Sequence, residues 1–328
     1  MKALIIANRE RYEHYYPGGP FADSLEKIYV EMDEAVESIL EKAGDADFLA
    51  ADAIAPVTKE LIDGMPNLKV IHSEGVAFNL IDCEAAAGRG VYVCNNAGVN
   101  AKAVAEQTIL LMLMVKRQAI RSHNAAMEGH QIEEKLRMMG SIDELGKCSV
   151  GLIGFGNIAK ATAKLLNAFG SQVFYYTPER KSAELEQEYN AAYMDLPEMR
   201  RTCDIISIHV PVTPETTGMI DAEFFDSMKN TAVLINTARG EIVDNEALAD
   251  ALIKGKIAGA GLDTIAPEPV PADHILLHLP KDAQDKLTIS SHIGGGTRNA
   301  FMNSHRNIWK AFEDAAAGRR PKNIVNGL

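Results

Sequence analysis

The stretch from Ser149 to Arg180 most restricts what this chain can fold into. A short apolar run, Val150 to Ile153, leads into Gly154-Phe155-Gly156. A helical pattern follows, with Ile158, Ala161, Leu165, Leu166 and Phe169 on one face, and Gly170 stops it. Val173 to Tyr176 then reads as a second strand. Strand, glycine turn, helix and strand in this order predict a βαβ unit of the dinucleotide-binding type. Gly154 allows the tight turn, and Gly156 carries no Cβ to keep a pyrophosphate from the backbone. Ala159 stands where a third glycine is common, small enough for close helix–strand packing. The helix start at Asn157 offers free N–H groups and a partial positive charge to phosphates.

An NAD-specific unit usually ends its second strand with an acid that binds the adenosine ribose. Here Thr177 occupies that place, and Arg180 and Lys181 follow. Without an acid to repel a 2′-phosphate, the expected cofactor is NAD(P), leaning towards NADP(H). Two alternatives stay open: the cations sit on a solvated turn, or Glu179 turns inward and restores an NAD preference.

A length of 328 residues predicts two domains. The formal charge of −12 argues against nucleic acid or an anionic membrane as partner, so an anionic substrate needs a local positive site. Cys83, Cys94, Cys148 and Cys203 have no metal-ligand spacing and read as packed, reduced thiols; no metal site is expected. Met1 to Ala7 is too short for a signal segment and reads as a strand. No apolar run reaches bilayer length, and a cytoplasmic location is expected.

Before the glycine loop, residues 2–7, 47–51, 68–71 and 91–94 read as strands, with helical patterns such as Asp23 to Lys42 between them. Between the first strand and that helix, Asn8 to Pro20 reads as a surface loop or as a flap over a small-molecule site. Residues 98–128 read as one long helical segment, in which Glu106 requires a capping or interdomain partner. After the loop, strands are expected at 204–210, 232–237, 257–262 and 287–290, with helices at 221–228 and 244–254. Such near-continuous apolar strands belong in parallel sheets covered on both faces. Arg298 to Gly318 is amphipathic, and the last turn is expected to pack back on the first domain.

Ligands of open α/β sheets bind at the carboxyl ends of strands. Three polar stretches fall there: Asn236 to Gly240, Asp263 to Pro269 and Ser290 to Gly296. They offer Arg239, Glu268 and His292, the groups needed to reduce a 2-keto acid. A guanidinium fork neutralises the substrate carboxylate and polarises the carbonyl. The imidazole protonates the carbonyl oxygen, and a carboxylate bonded to it orients it and favours its charged form. His72 and His209 lack this company and read as structural or cofactor-adjacent.

With these motifs in view, the chain resembles the D-isomer-specific 2-hydroxyacid dehydrogenases over nearly its whole length, in the short form without a regulatory domain and similar to hydroxypyruvate and glyoxylate reductases. The matching stretches are Gly75 to Asp82, the glycine loop, His209 to Thr216, Asn236 to Gly240, Asp263 to Pro269 and His292 to Thr297. The resemblance implies two α/β domains with parallel sheets, Rossmann-like or flavodoxin-like. The dinucleotide-binding domain, 100–292, would be inserted in a discontinuous substrate domain, 1–99 and 293–328. It assigns catalysis to Arg239, Glu268 and His292, and substrate contacts to Val76, Ala77, Arg239 and His292. Cofactor contacts carry over to Val76, Thr108, Gly154, Phe155, Gly156, Asn157, Ile158, Thr177, Arg180, Lys181, Val210, Pro211, Thr216, Thr237, Ala238, Arg239, Asp263, His292 and Gly294. A homodimer through the dinucleotide-binding domain is implied as well. Ala77 replaces a common glycine, Ala266 a common acid, and Ser291 a common proline. Two other functions are compatible with the pattern: a dinucleotide-sensing binding protein of corepressor type, and a phosphite-type dehydrogenase.

Overall fold

The computed structural model describes residues 1–328. The chain forms two compact units, one made of Met1–Asn100 with Thr297–Leu328 and the other of Ala101–Gly296.

The first unit contains a five-stranded sheet of β1 (Lys2–Ile6), β2 (Glu26–Val30), β3 (Phe48–Ala51), β4 (Val70–Ser73) and β5 (Tyr92–Cys94). Every pairing is parallel and the order is β2-β1-β3-β4-β5, the flavodoxin-like arrangement. Side chains alternate between two buried faces. Leu4, Ile6, Leu49, Ala51, Ile71 and Val93 point into one cluster. Ala3, Ile5, Phe48, Ala50, Val70 and Cys94 meet Ile308, Trp309 and Phe312 of the Arg298–Ala316 helix in the other. Deleting a buried aromatic ring costs about 3–5 kcal/mol, so this C-terminal helix is integral to the first unit's core. The last residues do pack back on it: Val325 N–H donates to Val93 O (2.8 Å), and Ile324 bridges Cys94.

Two expectations for this unit need correction. The helical pattern over Asp23 to Lys42 is instead strand β2 followed by a helix confined to Val36–Ala43. Ile28 and Val30 pack on one face while Tyr29 packs on the other, a period of two that pairing with β1 enforces. Within Asn8 to Pro20, Arg9–His14 is helical, capped by Asn8 Oδ1, which accepts from Arg11 N–H at 2.9 Å.

The second unit holds β6 (Ser149–Ile153), β7 (Gln172–Tyr176), β8 (Ala192–Tyr193), β9 (Ile205–Ile208), β10 (Val233–Asn236), β11 (Gly259–Leu262) and β12 (Leu287–Ile289). They form one parallel sheet in the order β12-β11-β10-β9-β6-β7-β8. The order in which strands are added reverses between β6 and β9, which run parallel, and the glycine loop leaves the carboxyl end of β6 at that switch point. The segment 98–128 is two helices, Ala101–Lys116 and Ala119–Met127, broken at Gln118, whose φ is +46°. A third helix, Gln131–Met138, packs on the second of these. Glu106 needs no buried partner, because it lies on the exposed face of its helix. The four cysteines are free thiols; Cys94, Cys148 and Cys203 are buried. No helix is long and apolar enough to cross a membrane.

Candidate active site

Gly154 adopts φ +95°, and a Cβ there would lie 2.4 Å from His209 O and 3.0 Å from Val210. Only glycine makes this turn, which sets Val210 against the loop. A Cβ at Gly156 would meet nothing within 4 Å, so the loop is open on the side where the next helix begins. The Asn157–Phe169 helix has no side-chain cap on its first N–H groups. An open cradle faced by unpaired N–H donors fits the pyrophosphate of a dinucleotide. Phe155 is buried and stacks on Tyr175 (4.3 Å), and Ala159 is fully buried. The exposed Asn157 and half-buried Ile158 begin the helix.

At the end of β7, Thr177 is buried and its hydroxyl donates to Glu179 O at 2.6 Å. Arg180 is held in a fork by Glu186, Nε to Oε1 at 2.9 Å and Nη2 to Oε2 at 2.8 Å. Glu186 also accepts from the Tyr175 hydroxyl at 2.7 Å. These contacts, Arg180 first, bring the Glu186 carboxyl down to about 2. Lys181 has its backbone N–H on the Tyr175 hydroxyl (2.9 Å) and no acidic partner for its ammonium. The two sequence-predicted cations therefore differ, one neutralised and one free. Glu186 carried no sequence signal beyond its place in an ordinary acidic helix.

His209 rests against the Ser207 hydroxyl (2.9 Å), and burial depresses its imidazole to about 3. Burial likewise takes His72 down to about 4, with Nδ1 directed to Ser73 O at 2.7 Å. Both rings are neutral at physiological pH and hold structure. Beyond Val210, the Thr216 hydroxyl closes its own turn, donating to Pro211 O (2.7 Å) and accepting from Thr213 N–H (2.8 Å).

Asn236, fully buried at the end of β10, shapes the arginine turn: its Nδ2 donates to Arg239 O (2.8 Å) and its Oδ1 accepts from Ala238 N–H (3.0 Å). The next residue has no room for a side chain, since a Cβ on Gly240 would lie 2.1 Å from Ala266 N. Arg239 is exposed and the only hydrogen bond of its guanidinium is to Ala238 O, 2.7 Å. No carboxylate neutralises it. Thr108 donates to Val104 O (2.8 Å), so the 2.9 Å contact between Thr108 and Thr237 is donated by Thr237.

His292 and Glu268 meet directly, Nδ1 to Oε2 at 2.7 Å, with a little under half of each side chain exposed. Because a carboxylate only accepts, the ring carries its proton on Nδ1 and presents Nε2 elsewhere. His292 adopts φ +55°, the left-handed region. Asp263 holds that turn in place. Its carboxylate, 3% exposed, accepts from the Ser290 hydroxyl (2.5 Å), Ile293 N–H (3.2 Å) and Gly294 N–H (2.9 Å). Gln107 steadies Ser290 in turn, at 2.9 Å. The sequence placed Ser290 at the head of a polar stretch without a role and gave no sign of Gln107; their part becomes recognisable only once strand and helix are adjacent.

In the first unit, the loop after β4 is built to leave amides free. Asn96 Nδ2 donates to Ser73 O and Glu74 O, and Asn96 N–H to Gly75 O; Asn95 Nδ2 takes Val76 O; the Ser73 hydroxyl takes Ala77 O. Every carbonyl from 73 to 77 is thus satisfied, whereas the N–H groups of Val76 and Ala77 have no protein acceptor. A run of free amides with occupied carbonyls suits an anion. Nothing local in the sequence marks Asn95 and Asn96, both buried, as loop-builders.

The family model described as "D-isomer specific 2-hydroxyacid dehydrogenase, NAD binding domain" matches residues 109–294. The chain is 36% identical over 290 residues to a glyoxylate reductase of Thermofilum pendens, covering 88% of this chain and 84% of that one. It is also 36% identical over 275 residues to a hydroxypyruvate reductase of Thermotoga maritima, covering 83% and 84%. Among solved structures, apo D-mandelate dehydrogenase of Rhodotorula graminis aligns with a TM-score of 0.84 at 26% identity, covering 99% and 97%. D-lactate dehydrogenase of Lactobacillus jensenii, solved with NAD+, aligns with a TM-score of 0.82 at 26% identity, covering 99% of each. A glycine-loop sheet with a nicotinamide dinucleotide cradle, a histidine–carboxylate pair and an unpaired arginine accord with these likenesses, and the chain belongs to the D-isomer specific 2-hydroxyacid dehydrogenases.

Proposed function

We propose that the protein reduces a small 2-keto acid to the D-2-hydroxy acid with NAD(P)H, through Arg239, Glu268 and His292. The observation that carries this reading is the His292–Glu268 pair at 2.7 Å, on a turn anchored by Asp263, in a unit whose exposed Arg239 has no counterion. The bound dinucleotide supplies the hydride. Arg239 binds the keto acid's carboxylate and polarises its carbonyl. Within the first unit, the free amides of Val76 and Ala77 are read as donors to a carboxylate. His292 gives the carbonyl oxygen a proton, and Glu268 orients the ring and stabilises its charge. A panel of glyoxylate, hydroxypyruvate and longer keto acids, each with NADH and NADPH, tests this directly. No turnover on any of them would refute it.

The cofactor reading is that NADPH serves at least as well as NADH. Thr177 puts no acid at the ribose position, and Lys181 is free to meet a 2′-phosphate. Thr177→Asp should shift the ratio of kcat/KM values towards NADH about tenfold or more, by like-charge repulsion. Glu186→Gln should shift it the other way, by releasing Arg180 from its fork. Parallel kinetics with both cofactors decide the matter, and a wild type indifferent to NADPH ends this reading.

The second unit is read as a homodimerisation domain and the protein as cytoplasmic. Support comes from the helical hairpin around Gln131–Met138, where Met127, Ile132, Leu136 and Met139 are each more than 60% exposed. Contiguous apolar exposure of this kind marks a protein interface. The double substitution I132E/L136E should halve the mass measured by analytical ultracentrifugation; an unchanged mass would place the interface elsewhere.

A further inference from the structure

Beneath the amide loop of the first unit lies a buried charged cluster that the proposed reaction does not use. The Arg11 guanidinium bridges two carboxylates, Asp52 at 2.5 Å and Glu74. The other oxygen of Glu74 accepts from His305 Nε2 at 2.9 Å. Exposure of the side chains falls along the row: Arg11 34%, Asp52 11%, Glu74 5% and His305 none. Tyr12 closes it from above, its ring 4.4 Å from that of His305. The residues come from the first helix, the ends of β3 and β4, and the C-terminal helix.

Glu74 immediately precedes Gly75-Val76-Ala77, so its side chain fixes where the amide loop begins. Its carboxylate is also a negative charge placed next to a binding site for an anion. The Nε2–H of His305 meets a carboxylate while its Nδ1 has no partner. Arg11 is the only arginine or lysine that meets Asp52 and Glu74, and removing it leaves both carboxylates without that cation. An uncompensated charge in a buried site is costly and acts at a distance, since little water screens it.

We infer that Arg11 is a positioning residue for the keto acid: by neutralising Glu74 and, with His305, fixing its rotamer, it keeps the Val76–Ala77 amides able to bind the substrate carboxylate. This rests on the reading that those amides take that carboxylate. Arg11 acts through the loop and makes no bond to the reacting atoms.

The test compares the full-length wild type with Arg11→Gln, Arg11→Lys, Glu74→Gln and the R11Q/E74Q pair. A bare unit charge about 8 Å from a bound anion, at an effective dielectric constant of about 20, weakens its binding about thirtyfold. Arg11→Gln should therefore raise the keto-acid KM by about ten- to thirtyfold, leave kcat within about threefold, and leave the binary NAD(P)H Kd unchanged. Adding Glu74→Gln should bring most of that KM back, because a charge has been removed rather than a contact restored. Arg11→Lys, which keeps the charge, should lie close to wild type and also covers the case in which Arg11→Gln does not fold. Loss of kcat at constant KM, or no rescue in the R11Q/E74Q pair, would overturn the inference while leaving the proposed reaction intact. If the wild type turns over no keto acid, the proposed reaction fails, and calorimetry with oxalate on the same proteins still decides the inference. An oxalate Kd that Arg11→Gln weakens and R11Q/E74Q restores supports it. A Kd indifferent to Arg11, or no oxalate binding by the wild type, overturns it.

Discussion

Replacing His292 by alanine is expected to lower kcat for keto-acid reduction by about 10²–10⁴-fold while leaving cofactor binding measurable. In the proposed reaction the imidazole is the proton donor, and one of its two ring nitrogens makes no hydrogen bond. Its Nδ1 is engaged by Glu268 at 2.7 Å, so Nε2 is the free end. The turn that carries it is held through Asp263, which bonds the amides of Ile293 and Gly294 independently of the ring. Truncation at Cβ therefore removes the acid without releasing the turn. Glu268→Gln keeps a hydrogen bond to the ring but removes the charge that stabilises the imidazolium, so a smaller loss of about tenfold is expected. Single-turnover kinetics would separate the two, with cofactor affinity measured by fluorescence titration. A fully active His292→Ala enzyme would end the mechanism.

Arg239→Ala should act mainly on substrate binding and raise the keto-acid KM roughly a hundredfold. Two hydrogen bonds to a charged carboxylate are worth about 3 kcal/mol together, which is about two powers of ten in affinity. Arg239 suits this because nothing else in the protein competes for it. The single hydrogen bond of its guanidinium goes to the neighbouring carbonyl of Ala238, whereas Arg180 is already forked to Glu186. The arginine turn is rigid on both sides, closed by Asn236 and pressed against Ala266 at Gly240. Arg239→Lys should recover only part of the loss, because an ammonium cannot match the two carboxylate oxygens at once. Equal effects on kcat and kcat/KM would instead place Arg239 in the transition state alone.

What could be read from the chain alone was whatever depends on local geometry. The glycine turn is such a case, since positive φ at Gly154 and the absence of a side chain at Gly156 are properties of those residues themselves. The apolar runs of β6, β9, β10 and β11 are another, because a strand buried on both faces must be apolar throughout. Arg239, Glu268 and His292 stood out since each lies in a polar stretch just after such a strand. Tertiary structure decided the rest. Glu26–Val30 has a pattern that suits a helix or a strand, and its parallel partner β1 made the choice. Gln118 ended a helix that periodicity would have continued. Glu186 neutralised Arg180, and Asn95 and Asn96 freed the amides of the β4 loop. Glu74 found His305 across 231 residues of chain. A polar side chain announces that it needs a partner, but which partner it meets depends on chain segments that only folding brings together.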